Sequence, residues 1–421
     1  MDFRDQVHKA KIASRKMAIL SAEEKNTLLR KIAMALRENS EFLERENAKD
    51  IHEAEKANLG PMIDRLLLTK ERIEGIARDT EKVAELKDFV GEVLYEHTHA
   101  NGMKIQKVRV SMGLICMIYE SRPNVTVDAA VLSLKSGNAV LLKGGKEAMH
   151  SNLALIKIMK DALLKYSEAI QLLSISREEM GELFKMKGKI DLLIPRGGKG
   201  LIDFVTENSR IPVIATGASV VHTFVDEFAD LDMAVNICVN EKVRRVAVCN
   251  VLDTLLLHEK IAEKFLKKFT EAFHESVRMR KHPEIEIFAD KKSFEVLKNL
   301  KYEPLQKVDS ESYDTEWLDY KMSIRVVSDL DEALLHIREH SLGHSESIVT
   351  MNAENAKRFL DEVDAACVYH NVSTCFSDGA EFGLGAEIGI STQKLHARGP
   401  FALEALTSTK WMVKGEGQVR W

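Results

Sequence analysis

The chain has 421 residues, 45% of them hydrophobic and 30% charged, with a formal net charge of −5. That length exceeds one ordinary core, so two or three domains are expected, and the slight acidic balance leaves no electrostatic footprint for nucleic acid. The densest apolar run, Met112 to Tyr119, is strand-sized and far short of a membrane span, while five cysteines without C-x-x-C spacing argue against a disulfide framework or zinc site.

The N-terminus, Met1-Asp-Phe-Arg-Asp-Gln, carries two acids and no apolar stretch. This argues against a signal or transit peptide and gives a cytoplasmic expectation. The segment before Gly91 reads helical. Ser21 and Glu24 form a capping-box pattern, and Leu28, Ile32, Leu36, Phe42 and Leu43 follow at helical spacing up to Asn58-Leu-Gly-Pro61. A further helical stretch covers Met62 to Lys87. This region is either a separate bundle or a helical layer over a sheet.

After Gly91 the pattern changes. Met103 to Val110 alternates as a half-exposed strand, and Gly113 to Tyr119 reads as a buried one. A helix over Val125–Lys135, a strand over Ala139–Lys143 and a helix from His150 follow. Strands are expected at Ile190–Ile194 and Val213–Ala215, with a helix over Gly200–Ser209 between them. Alternation of this kind predicts a doubly wound α/β sheet. A second α/β unit is expected beyond Gly217. Its strands are Val220–Val225, Thr254–His258, Ile285–Ala289, Ile324–Val327 and Ser347–Thr350. Its helices are Asp230–Glu241, Glu259–Arg278, Leu330–His340 and Ala353–Val363. The chain closes with a glycine-rich segment and a strand at Thr409–Val413.

Four places carry chemistry. Cys249 follows Arg244 and Arg245 and precedes a strand; positive charge favours the thiolate, which is the nucleophile. The loop Lys143-Gly144-Gly145-Lys146 and the loop Pro195-Arg196-Gly197-Gly198-Lys199-Gly200 each follow a strand. Bare backbone and cations at such ends suit a phosphate, and a plain glycine turn is the alternative. Gly383-Leu-Gly-Ala-Glu-Ile-Gly389 imitates a dinucleotide motif, but its third glycine is one residue late. In Glu120-Ser-Arg-Pro-Asn124, Asn124 suits a developing oxyanion and Arg122 an anion; capping the next helix is the competing role for Asn124. The histidines show no metal-ligand spacing, so no metal is expected, and a histidine base for Cys249 is a minor alternative.

Longer motifs carry a resemblance. Tyr119-Glu-Ser-Arg-Pro-Asn-Val-Thr126, Leu134-Lys-Ser-Gly-Asn-Ala139, Gly144-Gly-Lys-Glu-Ala148, Ile194-Pro-Arg-Gly-Gly198 and Ile390-Ser-Thr-Gln-Lys-Leu-His-Ala-Arg-Gly-Pro400 resemble the γ-glutamyl phosphate reductase family of the aldehyde dehydrogenase superfamily. The resemblance implies an aldehyde dehydrogenase-like α/β fold. It places a doubly wound NADP-binding domain at 1–101 and 113–217, a catalytic α/β domain at 218–405, and a β oligomerisation flap at 102–112 and 406–421.

It also implies NADPH-dependent reduction of glutamate 5-phosphate to the 5-semialdehyde in proline biosynthesis. Cys249 would be the nucleophile and Asn124 the oxyanion donor, although ungapped spacing from Gly137 puts Glu120 at the superfamily's asparagine. Lys143, Gly144, Gly145, Arg196, Gly197 and Gly198 would hold NADP(H), and Arg122, Arg398 and Ser373 the substrate. A homo-oligomer and contact with glutamate 5-kinase are further expectations. The alternatives are a hydrolytic aldehyde dehydrogenase and a catalytically silent scaffold. Against hydrolysis, Ile214-Ala-Thr-Gly-Ala218 has no carboxylate where hydrolytic relatives carry Glu-Leu-Gly-Gly. Two departures stand out. Arg245-Val-Ala-Val-Cys-Asn250 lacks the family's proline and serine, and Cys375 stands where the family has an arginine.

Overall fold

The computed structural model describes residues 2–60, 62–120 and 122–420. The chain forms two compact units. One comprises residues 1–216, 383–389 and 401–421, the other 217–382 and 390–400.

The first unit opens with α1 (Phe3–Met17), α2 (Ala22–Glu38), α3 (Ser40–Lys56), α4 (Met62–Leu66) and α5 (Lys70–Glu85). Ser21 caps α2 as its pattern predicts: its hydroxyl accepts from Glu24 N–H at 3.3 Å and its N–H donates to the Glu24 carboxylate at 2.8 Å. The expected continuous helix beyond it is two helices. Asn39, at φ −110° and ψ 21°, interrupts the run, and its side chain donates to the Ala35 carbonyl at 2.8 Å. Asparagine side chains compete with the helix ladder for main-chain partners in this way. Helix α1 lies within the segment that reads helical, with the small residues Ala10 and Ala13 on its buried face.

Next come β1 (Val93–Thr98), β2 (Lys104–Ser111), β3 (Leu114–Tyr119), α6 (Pro123–Lys135), β4 (Ala139–Lys143), α7 (Met149–Leu163), β5 (Ile170–Leu172), α8 (Arg177–Leu183), β6 (Leu192–Arg196) and α9 (Lys199–Asn208). The order β5-β4-β3-β6 makes a parallel sheet, with every residue of β3 buried. The chain runs outward from β3 through β4 to β5, then returns to β6 on the other side. This creates a switch point between β3 and β6, where a crevice opens at the carboxyl ends. The expected strand at Val213–Ala215 is only a bridge from Val213 to Leu193. Pro212, just before it, has no N–H to extend a ladder.

The second unit holds β7 (Val221–Val225), α10 (Leu231–Val243), β8 (Leu252–His258), α11 (Ala262–Arg280), β9 (Glu286–Ala289), α12 (Lys291–Asn299), β10 (Leu305–Lys307), β11 (Lys321–Val327), α13 (Leu330–His340), β12 (Ser345–Val349), α14 (Ala353–Glu362) and β13 (Cys367–His370). Its sheet is parallel throughout, in the order β10-β9-β11-β8-β7-β12-β13. Phe265, Phe269 and Phe273 line one face of α11 at helical spacing and enter the core with Leu255, Leu257 and Ile287. Every residue of β8 is buried, so the chain just before it is held at a fixed point on the sheet's amino edge.

β14 (Gly389–Ser391) pairs with β15 (Gly399–Phe401), and β16 (Thr407–Lys414) ends the fold. The expected uninterrupted second domain from 218 to 405 differs from these units, because 383–389 and 401–405 lie with the first. The expected flap strands are β2 and β16, joined antiparallel with β1 in the order β1-β2-β16. They also belong to the first unit. Asn138 ties them in by donating to the Leu406 carbonyl at 2.9 Å, and Arg109 by bonding Glu92 at 2.8 Å and Glu404.

Candidate active site

In the second unit, Cys249 and Asn250 occupy a turn between α10 and β8. Residues far away in sequence clamp that turn. The Ser219 hydroxyl meets the Cys249 carbonyl. The Thr374 hydroxyl donates to the Asn250 carbonyl at 2.8 Å, and the Asn250 amide donates to the carbonyls of Cys375 and Ser377 at 3.4 and 3.1 Å. Asn250 is buried, and its own Oδ1 has no hydrogen-bond partner among the described residues. Cys249 is half-buried, whereas Cys116, Cys238, Cys367 and Cys375 are buried. Burial pushes Cys116 up to about 12 and Cys238 well above the ordinary thiol range, so neither is a nucleophile.

Ser219 also contacts the Glu316 carboxylate at 3.0 Å. A serine has one hydroxyl proton. If Ser219 donates it to the Cys249 carbonyl, the second contact needs a proton on Glu316. Burial raises the Glu316 pKa, although the hydrogen bonds from Ser219 oppose the shift. Behind the turn, Glu241 accepts from Thr374 N–H and the Thr223 hydroxyl, both at 2.8 Å, and burial pushes it up to about 7. Ser373 is buried. Its hydroxyl donates to the Asn240 side chain at 3.0 Å and accepts from Cys375 N–H at 3.2 Å, so it organises the 373–377 loop. Arg398 donates to Asp364 at 2.7 Å, and Lys394 bonds the same carboxylate.

In the first unit, Lys143 ends β4. Its half-buried ammonium donates to the Gly144 carbonyl at 3.1 Å, and burial lowers its pKa. Gly144 packs against the buried chain Tyr119–Thr126–Asn152, whose links are 2.7 and 2.6 Å; an added Cβ there would lie 2.5 Å from Asn152 Nδ2. Gly145 leads into the single turn Lys146–Ala148. At the end of β6, Arg196 donates to the Ile388 carbonyl at 2.9 Å, and Gly198 N–H donates to the Glu120 carboxylate at 3.2 Å. A Cβ on Gly197 would lie 2.6 Å from Glu120, so that carboxylate sits against the glycine loop at the start of α9. Asn124 is in the first turn of α6, and its amide meets Asp128 at 3.2 Å rather than capping the helix. Burial lifts Asp128 to about 6, with Arg196 opposing the shift. Arg122 is the N-cap residue of α6, and its N–H donates to the Glu120 carbonyl at 2.7 Å.

Thus Arg122, Asn124, Arg196, Gly197 and Gly198 gather at the β3 and β6 ends, with Lys143, Gly144 and Gly145 at the neighbouring β4 end. Cys249 and Ser373 gather in the second unit, and Arg398 stands apart on Asp364. The sequence did not reveal Ser219, Glu316, Thr374 or Asn250 as site residues, whereas Glu120 entered through its spacing from Gly137. Among the former, only Asn250 had a visible signal, its place beside Cys249.

The aldehyde dehydrogenase family model matches residues 1–300. A γ-glutamyl phosphate reductase of Carboxydothermus hydrogenoformans is 51% identical over 419 residues, covering 98% of each chain. The crystal structure of a γ-glutamyl phosphate reductase from Thermotoga maritima is 40% identical and superposes over the full length of both chains with a TM-score of 0.95. Glyceraldehyde-3-phosphate dehydrogenase from Methanocaldococcus jannaschii, solved with NADP, shares the fold at 18% identity and a TM-score of 0.68, over 98% of this chain and 94% of that one.

Proposed function

The chain belongs to the γ-glutamyl phosphate reductases of the aldehyde dehydrogenase family, and from that premise we propose that Cys249 is the nucleophile through which it works. The reaction is the reduction of glutamyl phosphate in proline biosynthesis. The Cys249 thiolate attacks the acyl carbon, the C–S bond forms, and the C–O bond to phosphate breaks with release of phosphate. Dividing one hard displacement into two easier steps is the benefit of covalent catalysis. When bound, a reduced nicotinamide would supply the hydride that reduces the thioester to a tetrahedral oxyanion. The Cys249 N–H is the proposed donor to that oxyanion, and Asn124 remains a proposed catalytic residue of the first unit. Its collapse breaks the C–S bond, regenerates the thiolate and frees the semialdehyde.

The observation that carries this reading is the clamped turn. Ser219 and Thr374 hold the two carbonyls of Cys249 and Asn250, so the half-buried sulfur is presented in one orientation. Glu316 lies close by, 3.0 Å from the Ser219 hydroxyl, and burial raises its pKa against the hydrogen bonds from Ser219. The Lys143 ammonium, half-buried and bonded among the described residues to the Gly144 carbonyl alone, fits a cofactor hydroxyl or phosphate. NADP(H) is the proposed dinucleotide. Gly144 and Gly145 would let it approach the backbone, with Arg196, Gly197 and Gly198 walling the adjoining edge. Arg122 and Ser373 remain proposed substrate contacts, and Arg398 would first have to leave Asp364. The exposed strands β1 and β16 support a homo-oligomer, and glutamate 5-kinase is the proposed donor of the acyl phosphate.

The test runs the reaction backwards, with semialdehyde and NADP in the presence or absence of phosphate. The account predicts cofactor reduction only with phosphate and an acyl phosphate as product. Free glutamate formed at the same rate without phosphate would establish a hydrolytic enzyme instead.

A further inference from the structure

The clamp on the Cys249 turn depends on a loop that is itself held from elsewhere. The short turn Thr374–Phe376 follows β13, and its Thr374 hydroxyl donates to the Asn250 carbonyl at 2.8 Å. Thr374 fixes that carbonyl only if its own backbone is fixed. The end of α10 does this with two successive side chains. Asn240 accepts from the Ser373 hydroxyl at 3.0 Å, and Glu241 accepts from Thr374 N–H at 2.8 Å. The other Glu241 oxygen accepts from the Thr223 hydroxyl of β7 at 2.8 Å. Asn250 closes the circuit, its amide donating to the carbonyls of Cys375 and Ser377.

Glu241 is fully buried, and its neighbour Lys242 turns its ammonium to the Leu252 carbonyl at 3.0 Å. Among the described residues, the donors that reach the Glu241 carboxyl are the neutral groups of Thr223 and Thr374. A buried carboxyl without a cation costs stability, and an apolar side chain of similar size would avoid that cost. The two threonines it joins account for its presence. A single side chain fastens the 373–377 loop to β7. A proton on the carboxyl would sit on the oxygen facing Thr223, whose hydroxyl accepts as well as donates. The oxygen facing Thr374 then keeps its role in either state.

Building on the reading of Cys249 as the nucleophile, we propose that Glu241 is a positioning residue, which orients the Cys249 turn through Thr374. The chain of bonds runs from Thr223 through Glu241 and Thr374 to the carbonyl of Asn250, the residue next to the sulfur. Glu241 acts through another residue and needs no contact with substrate. Its loss displaces the sulfur from its line of attack, and a small displacement of a nucleophile costs rate while substrate still binds. A merely structural Glu241 would lower the unfolding midpoint and leave the rate of the folded enzyme alone.

The experiment measures kcat and the KM for semialdehyde and for phosphate in the reverse reaction with NADP, alongside urea unfolding. The variants are Glu241→Leu, Glu241→Gln, Thr374→Val and the double variant carrying Glu241→Leu and Thr374→Val. Glu241→Leu should lower kcat roughly 10- to 100-fold with both KM values kept. Glu241→Gln offers an oxygen to Thr374 and an amide to Thr223, and should recover most of that loss. Thr374→Val keeps the N–H bond to Glu241, loses only the hydroxyl, and should reproduce the fall in kcat. The double variant should fall no further than the slower single one, because both act along one chain of bonds. Thr223→Val frees one oxygen of Glu241 without touching the turn; it replaces Glu241→Leu if that variant does not fold, and should also lower kcat. The proposal is overturned by an unmoved kcat in folded Glu241→Leu or in its replacement, by a KM that rises while kcat is kept, by a Glu241→Gln variant as slow as Glu241→Leu, or by fully additive losses. Cys249→Ser controls for the premise. A folded Cys249→Ser at the wild-type rate would overturn the nucleophile reading and this proposal with it, whereas an inactive Cys249→Ser beside a fast Glu241→Leu would overturn the proposal alone.

Discussion

A single cysteine can be read from a sequence, but its environment cannot. Cys249 stood out by its basic neighbours. The groups that orient it come from Ser219, 30 residues away, and Thr374, 124 residues from Asn250. No local period encodes such contacts. The glycine loops were legible for the opposite reason, since a glycine's role is written in its own backbone. Gly144 shows this. A methyl group there would meet Asn152 Nδ2 at 2.5 Å and Tyr119 at 3.2 Å, with both side chains held by Thr126. Overpacking of this kind costs about 1–3 kcal/mol. Gly144→Ala should accordingly weaken NADP binding by roughly tenfold or more. Titration of cofactor fluorescence quenching checks it, and an unchanged Kd would remove Gly144 from the cofactor edge.

At the scale of elements, periodic segments were legible and small or exposed ones were not. Strand β4 and helix α13 lie at their predicted limits, because their apolar spacing is strong. Strand β1 escaped, since all six of its residues are exposed and no buried face imposes alternation. The rule that ligands meet parallel sheets at their carboxyl ends located the glycine loops of the first unit. It would not have found Cys249, which precedes β8 at the amino edge; the loop after β13 runs back there to meet it, with Ser377 bonding Ser345 at 2.5 Å. The β1-β2-β16 sheet makes its own prediction. Trp411 is 57% exposed and packs edge-on against Tyr95, 49% exposed, at 5.7 Å. Apolar surface on an open sheet edge favours pairing with another chain. Trp411→Glu should lower the mass seen by light scattering while the unfolding midpoint of the protomer is kept. An unchanged mass would place the oligomer contact elsewhere.

For the whole molecule, two α/β units and their order along the chain were legible, because strand and helix periods alternate cleanly. The return of 383–389 to the first unit was not, because it depends on contacts rather than on period. The buried ionisable groups of the second unit set its response to pH. Burial holds His336 down to about 2 and His344 to about 4. The unfolded chain therefore binds their protons first as pH falls below 6.5, and stability is lost on the acid side. Glu241, raised to about 7, works the other way. Its contribution is full below about 4.5 and is lost as pH rises through 7. The two effects oppose each other between about 4.5 and 6.5, and below about 4 His336 acts unopposed by Glu241. One proton of difference is worth about 1.4 kcal/mol per pH unit. Urea unfolding between pH 4 and 3 should be less steeply pH-dependent in His336→Gln by about that amount, and identical slopes would contradict a neutral buried His336. The central claim is that one sulfur carries the acyl group. Its most direct test is phosphate-dependent NADP reduction by the semialdehyde in Cys249→Ser, with the fold checked by circular dichroism. The account predicts a loss on the order of 10³-fold or more in a folded protein; a folded variant that keeps the wild-type rate would contradict it.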